Sequence, residues 1–307
     1  MLVLIAGITG NLGQPLAESL LKRGHQVRGQ GRTPDKLKPG LRERLESFIT
    51  ISDYDDLAGL GKGVVGVDAV VCAYAPLQIL HLEGQLMLWR AAEKAGVQRF
   101  ISASWTYDWR KMTVGQHETY DPILMFARQT ALTSERLKPV YIFNGVLAET
   151  LFAVPGHGNF SPAHNGVWDP ATKEMHIWGP KSVVWHWTTE ADCAEFTAAI
   201  LERADAEEVQ YWSVCSGEGT LEEIANEYGR IRGCEVKVIE KGDLNALREN
   251  AYGARAKGTP TFFWMYIGWF YQLFTVDGTW PLKNLDNGRL GVKTTTLEEF
   301  LAQNPTI

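Results

Sequence analysis

The chain has 307 residues, enough for two domains or for one α/β domain with a large insertion. Its 45% apolar and 21% charged residues are those of a packed globular protein and exclude a disordered or collagen-like chain. Thirty Lys and Arg against 36 Asp and Glu leave a net charge of −6 with no basic cluster, which argues against a nucleic-acid partner.

In chain order, the first 145 or so residues alternate short apolar runs with helical patterns, the signature of a parallel sheet with crossover helices. Strands are expected at Leu2–Ala6, Gln26–Gly29, Glu46–Ile51, Ala69–Ala73, Arg99–Ser102 and Val140–Asn144. Helices are expected at Leu12–Arg23, Leu80–Lys94 and Ile123–Leu137. From Leu151 to Lys181 the pattern breaks into loops rich in Gly, Pro, Asn and His. A helix over Thr189–Arg203 and a strand over Gln210–Cys215 then rejoin the sheet. Thr220 with Glu223 has the form of a capping box for a helix over Leu221–Ile231. A short strand (Val236–Ile239), two helices and the segment TTTLEEFLAQ complete the chain.

The fold expected is therefore α/β: a doubly wound parallel Rossmann sheet with a smaller, discontinuous C-terminal substrate domain. Residues 1–150 would form the dinucleotide-binding domain, with 182–217 returning to it, and 151–181 plus 218–307 the smaller domain. Cys72, Cys193, Cys215 and Cys234 show no metal-ligand or disulfide spacing, so reduced thiols and no metal are expected. No basic leader is seen, and the longest apolar stretch, Thr261–Phe274, is too short to span a bilayer. The expectation is a cytoplasmic protein with no membrane partner, monomeric or homodimeric.

Gly7-Ile-Thr9-Gly10-Asn11-Leu12-Gly13 follows an apolar strand and opens a helix. In that setting one Gly permits the tight turn, another the close approach of a pyrophosphate, and the third close helix–strand packing. The helix N-terminus adds free N–H groups and a positive dipole end. An NAD site wants an acid at the end of strand two, yet Gly29-Gln-Gly31-Arg32-Thr-Pro-Asp-Lys36 has none at that point. Arg32 and Lys36 are instead placed for a 2′-phosphate, which favours NADP(H). Asp53 and Tyr54 would border the adenine; Ala73, Tyr74 and Ala75 would line the ribose.

These residues carry a resemblance. Together with Arg99-Phe-Ile-Ser102, Glu190-Ala-Asp-Cys-Ala194 and Thr294–Leu301, they resemble an NmrA-like or isoflavone-reductase-like member of the atypical short-chain dehydrogenases. The resemblance implies a Rossmann domain holding NADP(H), with a smaller domain closing over a small-molecule substrate. It also sets Ser102, Phe143 and Asn144 beside the cofactor. The superfamily's usual Tyr-x-x-x-Lys helix is not found. Tyr107-Asp-Trp-Arg-Lys111 matches the string but begins three residues after Ser104, too near the strand end to lie on the following helix. Tyr120 lacks a Lys four residues on, and Arg128 is the cation nearest the family's Lys position.

Arg128 can bind ribose hydroxyls or phosphate but cannot accept a proton near neutral pH. Candidates for the chemistry are Tyr107, with Asp108 and Lys111 on the same loop, and His117, which titrates in the useful range. The 11 Trp, 10 Tyr and 12 Phe suggest either an aromatic-rich core or an aromatic-walled pocket. Trp105, Trp109, Trp185, His186, Trp187 and Phe263 are the candidate lining. Alternation along a strand puts Trp185 and Trp187 on one face and His186 on the other. The stretch Thr261–Phe274 reads equally as a lid, a core helix or a dimer face. Three functions fit: an NADPH-dependent reductase of a flat apolar or aromatic metabolite; a non-redox isomerase, cyclase or dehydratase using aromatic faces to stabilise a cation; or an NADP(H)-sensing regulator without turnover.

Overall fold

The structure is a computed structural model and describes residues 1–280 and 282–307. The first part of the chain runs β1 (Leu2–Ala6), α1 (Gly13–Lys22), β2 (Gln26–Gly31), β3 (Ser47–Thr50), α2 (Leu57–Val64), β4 (Ala69–Cys72), α3 (Gln85–Ala95), β5 (Arg99–Ile101), α4 (Asp121–Thr133) and β6 (Pro139–Phe143). It continues with β7 (Val146–Leu147), α5 (Ala148–Leu151), β8 (Trp168–Asp169), β9 (Glu174–Trp178), β10 (Val184–Thr188), α6 (Glu190–Glu202), α7 (Ala206–Val209) and β11 (Tyr211–Ser213). The last part is β12 (Gly217–Thr220), α8 (Leu221–Arg232), β13 (Lys237–Gly242), α9 (Leu244–Lys257), α10 (Ile267–Val276), α11 (Asn287–Leu290) and α12 (Leu297–Gln303).

Seven parallel strands form the main sheet in the order β11-β6-β5-β4-β1-β2-β3. The strand order reverses direction beside β1, between the first and second crossover series, and a crevice at that point is where such sheets take ligands. Side-chain alternation divides the core. Val3, Ile5, Val71, Ile101 and Ile142 face α1 and α6, while Leu4, Ala6, Val70, Phe100 and Tyr141 face α2, α3 and α4. That second core runs on without a break into the small sheets and C-terminal helices, through Phe152, Trp168, Trp185 and Phe270. The expected doubly wound sheet with a smaller C-terminal unit is what is observed.

Local signals explain most element ends. Gly24 and Gly96 take the left-handed conformation after α1 and α3, at φ +81° and +84°. Both capping boxes form, Thr220 with Glu223 and Thr296 with Glu299. Three expectations change. β2 extends to Gly31, so Arg32 directly follows the strand. The helix expected at Ile123–Leu137 starts two residues earlier and stops at Thr133. Strand Val184–Thr188 stays out of the main sheet and joins β7 and β12 in a separate one.

Candidate functional site

At the end of β1, Gly7 adopts φ +82° and donates its N–H to the Gln30 carbonyl at 2.9 Å. A Cβ on Gly7 would lie 2.4 Å from the Ala73 carbonyl oxygen. One on Gly13 would lie 2.4 Å from the Gly7 oxygen and 2.7 Å from Ile8 Cα. These two glycines are therefore fixed by packing of the chain on itself. Gly10 differs: it is exposed, and an added Cβ would meet only the Gly7 oxygen at 3.4 Å. Gly10 and Asn11 are the open face of the loop, Leu12 is half-buried, and the first turn of α1 carries no acid to repel an anion.

Beside this loop, Thr9 lies against Gly31, the last residue of β2. Arg32 and Lys36 are exposed and have no ion pair among the described residues, whereas Asp35 is 3.5 Å from Arg42 and Lys38 is 3.9 Å from Glu18. Gln14 ties the Arg32–Lys38 segment to the loop, accepting from the Lys38 N–H at 2.7 Å and donating to the Thr9 carbonyl at 3.4 Å. After β3, Asp53 is exposed and accepts the Tyr54 N–H at 2.8 Å. Tyr54 and Tyr74 both pack at Gly84, and the Tyr74 hydroxyl is buried without a partner among the described residues. Ala73 touches Gly7, and Ala75 is exposed at the rim. Thr9 with Gly31, Ala73 with Gly7, and Tyr54 with Tyr74 at Gly84 thus bring the segments after β1, β2, β3 and β4 side by side.

A cavity of about 210 Å³ lies between the start of β10, the loop after β5 and the segment that follows α10. Tyr107, His186, Thr275, Trp280 and Lys283 line it, with Val183 and Val184 on the strand side. Tyr107 stacks on Trp280 with ring centres 5.0 Å apart. Burial holds the Tyr107 hydroxyl protonated, so it is a hydrogen-bond donor rather than a base. His186 Nε2 is 2.9 Å from Glu218, and burial lowers its pKa against the opposing pull of that carboxylate.

The model of the NmrA-like family matches residues 1–301. The chain belongs to the NmrA-like family. Among solved structures, leucoanthocyanidin reductase of Vitis vinifera bound to NADPH superposes with a TM-score of 0.76 at 17% identity, over 99% of both chains. An NADPH-dependent quinone oxidoreductase of Escherichia coli, complexed with NADPH, gives 0.70 at 20% identity over 98% of this chain and 99% of that one. In sequence, the Arabidopsis thaliana protein named probable pinoresinol-lariciresinol reductase 3 is 25% identical over 205 residues, covering 65% of this chain and 63% of that protein. The chain spans less than two thirds of the length of the curated relatives it matches.

Against that NmrA-like framework several expected site residues move. Ser102 does not face the crevice: it is fully buried and donates its hydroxyl to Gln85 Oε1 at 2.8 Å. Phe143 packs against Trp109, with Arg110 above its ring, and so belongs to the core. Asn144 is buried with Nδ2 3.1 Å from Cys193 Sγ, while its Oδ1 has no partner among the described residues. Arg128 lies on the outward face of α4 with Met125 and Leu132, because Phe126 and Thr130 take the sheet-facing positions. It therefore does not reach the crevice.

The proton candidates divide in the same way. Lys111 is exposed, and Asp108 is committed to Arg110 at 2.7 Å. His117 is fully buried against Phe270, ring centres 4.4 Å apart, and desolvation lowers its pKa to about 4. It is neutral at physiological pH and is removed as an imidazolium donor. Tyr120 is hydrogen-bonded to Thr106 at 2.9 Å, and burial pushes its pKa far up.

Of the expected pocket residues, His186 alone lines the cavity among the described residues; Tyr107, expected as a proton donor, lines it as well. Trp105 donates to Thr197 on α6 at 2.9 Å. Trp109 sits edge-on to Tyr141 and Phe143. Trp185 packs beside Phe160, and Trp187 covers Gly217, on the β10 face opposite His186. Phe263 is half-buried against Trp264 outside the cavity, and α10 is a core helix rather than a lid. Trp280, Thr275 and Lys283 were not among the expected site residues. No local pattern marks them, since they meet the cavity only through tertiary packing.

Proposed function

We propose that this protein is an NADP(H)-dependent reductase of a planar, largely apolar or aromatic small molecule. The observation that carries the reading is the glycine cradle with Arg32 and Lys36 unpaired beside it and no acid at the end of β2. Gly10 and Asn11 would face the pyrophosphate, Arg32 and Lys36 the 2′-phosphate, Tyr54 the adenine, and Ala73 to Ala75 the ribose. A bound nicotinamide supplies hydride-transfer chemistry. The chain supplies a cavity of about 210 Å³, with Tyr107 and Trp280 as an aromatic wall to align a flat ring. Tyr107 would donate a hydrogen bond to a substrate oxygen, His186, with Nε2 held by Glu218, would accept from a substrate hydroxyl, and Lys283 lines the cavity for a polar or anionic group.

The test is a tryptophan-fluorescence titration with NADPH and NADH, on the wild type and on Arg32→Asp. The substitution should weaken NADPH by roughly 1.5–3 kcal/mol and leave NADH nearly unchanged. Equal NADPH affinity in both proteins would remove Arg32 from the site. NADPH oxidation with a panel of quinones and aryl enones then tests turnover.

One observation favours a second, non-redox reading. Tyr120 is locked to Thr106 and has no lysine partner, and Arg128 faces away. Substrate conversion with bound NADPH left unconsumed would select that reading.

A further inference from the structure

The glycine loop is tied across the molecule to a pair of buried acids. Asn11 Nδ2 donates to the Gly156 carbonyl at 3.0 Å and lies 3.3 Å from His157 Nδ1. The same His157 nitrogen is 2.8 Å from Glu190 Oε1. Glu190 opens α6, and its backbone N–H reaches both carboxylate oxygens of Glu149, at 3.0 and 3.1 Å. Glu149 and Glu190 are only 9% and 8% exposed. Glu149 thus holds the Glu190 backbone, Glu190 accepts the His157 Nδ1 proton in a hydrogen bond, and the adjoining Gly156 carbonyl holds Asn11 at the open face of the loop.

The groups around Glu149 define how this chain can respond. Adjacent buried carboxylates resist double ionisation. Burial and the neighbouring Glu190 raise the Glu149 pKa to about 7, with His157 pulling the other way. On α6, Cys193 stays a neutral thiol because burial pushes its pKa up. Asp192 is occupied by Ser216 and by the Thr295 N–H and hydroxyl. From the end of β6 only the uncharged Asn144 approaches, on Cys193, and the glycine loop itself carries no titratable side chain.

We propose that Glu149, Glu190 and His157 are positioning residues for the glycine loop, and that the charge on this acid pair sets the loop's affinity for a dinucleotide pyrophosphate. The proposal rests on the reading of the loop as the dinucleotide site. With Glu149 protonated, Glu190 keeps its contact with His157, and the neighbouring Gly156 carbonyl holds Asn11 in place. Ionising Glu149 adds a negative charge at the anchor of the segment that holds Asn11. The N-terminus of α6 offsets part of it. Affinity therefore falls as pH rises through neutrality, and by linkage a bound dinucleotide favours proton uptake by the pair.

The experiment is an NADPH titration of the full chain at about pH 6 and about pH 8, for wild type, Glu149→Gln and His157→Ala. Wild type should bind about three- to tenfold more weakly at the higher pH, relative to Glu149→Gln, as expected for one added charge partly screened at this range. Ionisation of the 2′-phosphate is common to all three proteins and cancels in that comparison. His157→Ala, on a part-exposed loop, cuts the same chain: it should bind more weakly at both pH values and show a flattened profile, which keeps the test decisive if Glu149→Gln does not fold. Parallel profiles in wild type and either variant overturn the proposal. No NADPH binding by wild type at any pH refutes the dinucleotide reading instead, and the positioning role with it.

Discussion

Alanine substitutions at Gly10 and Gly7 separate the loop's ligand role from its structural one. At Gly10 the added Cβ finds only the Gly7 oxygen, at an ordinary contact distance of 3.4 Å, and the position is exposed. Folding stability should change by no more than about 0.5 kcal/mol. The methyl nevertheless stands where a pyrophosphate must approach the backbone. NADPH affinity should fall at least roughly tenfold, or about 1.4 kcal/mol.

At Gly7 the balance reverses. A left-handed φ of +82° costs an L-residue about 1–2 kcal/mol. The new Cβ would also sit 2.4 Å from the Ala73 oxygen and 2.8 Å from its carbonyl carbon, so the ends of β1 and β4 must part. Overpacking of that kind adds about 1–3 kcal/mol. The sum, ~2–5 kcal/mol, corresponds to a Tm lower by roughly 3–8 °C in a chain of this size. Thermal unfolding and the NADPH titration read the two effects independently. Wild-type NADPH binding by Gly10→Ala would refute the claim that phosphate meets this backbone. An unchanged Tm in Gly7→Ala would refute the steric argument.

Two further substitutions test the core and the acid pair. Trp280 is buried, with ring centres 5.0 Å from Tyr107, 4.9 Å from Tyr120 and 5.1 Å from Phe274. Trp280→Ala should cost about 3–5 kcal/mol in urea unfolding and enlarge the cavity, and a loss below about 1 kcal/mol would mean the aromatic stack collapses to fill it. For Glu149, the folded pKa of about 7 lies above the ordinary 4.5. Its contribution is therefore fully present below the unfolded-state value and is lost as pH rises through 7, worth ~2–3 kcal/mol in all. Glu149→Gln should lose correspondingly less stability than wild type between about pH 5 and pH 8. An identical decline in the two proteins would show that Glu149 is already ionised at the lower pH.

Much of the site was legible because it rests on short-range rules. The strand before Gly7, the glycine spacing and the helix after Gly13 are local, as are both capping boxes. The missing acid after β2 is read directly from Gly29 to Lys36. Arg128 was expected at the site as the cation nearest the family's lysine position, yet it is exposed on α4. A helix repeats every 3.6 residues, so a shift of one or two positions turns a side chain from the crevice to solvent. Ser102 was misjudged for a related reason: Gln85, on a different helix, claims its hydroxyl.

The sequence by itself determined the parallel sheet, the tight glycine turn after β1 and the lack of an acid at the end of β2, since strand periodicity and turn chemistry need only neighbouring residues. Tertiary structure alone decided which aromatics became wall and which became core. Tyr107 meets Trp280, and Asn11 meets Gly156 from 145 residues away. Such pairings depend on how the C-terminal elements pack against the sheet edge, and packing is selected by shape and volume across the whole core rather than by any local pattern.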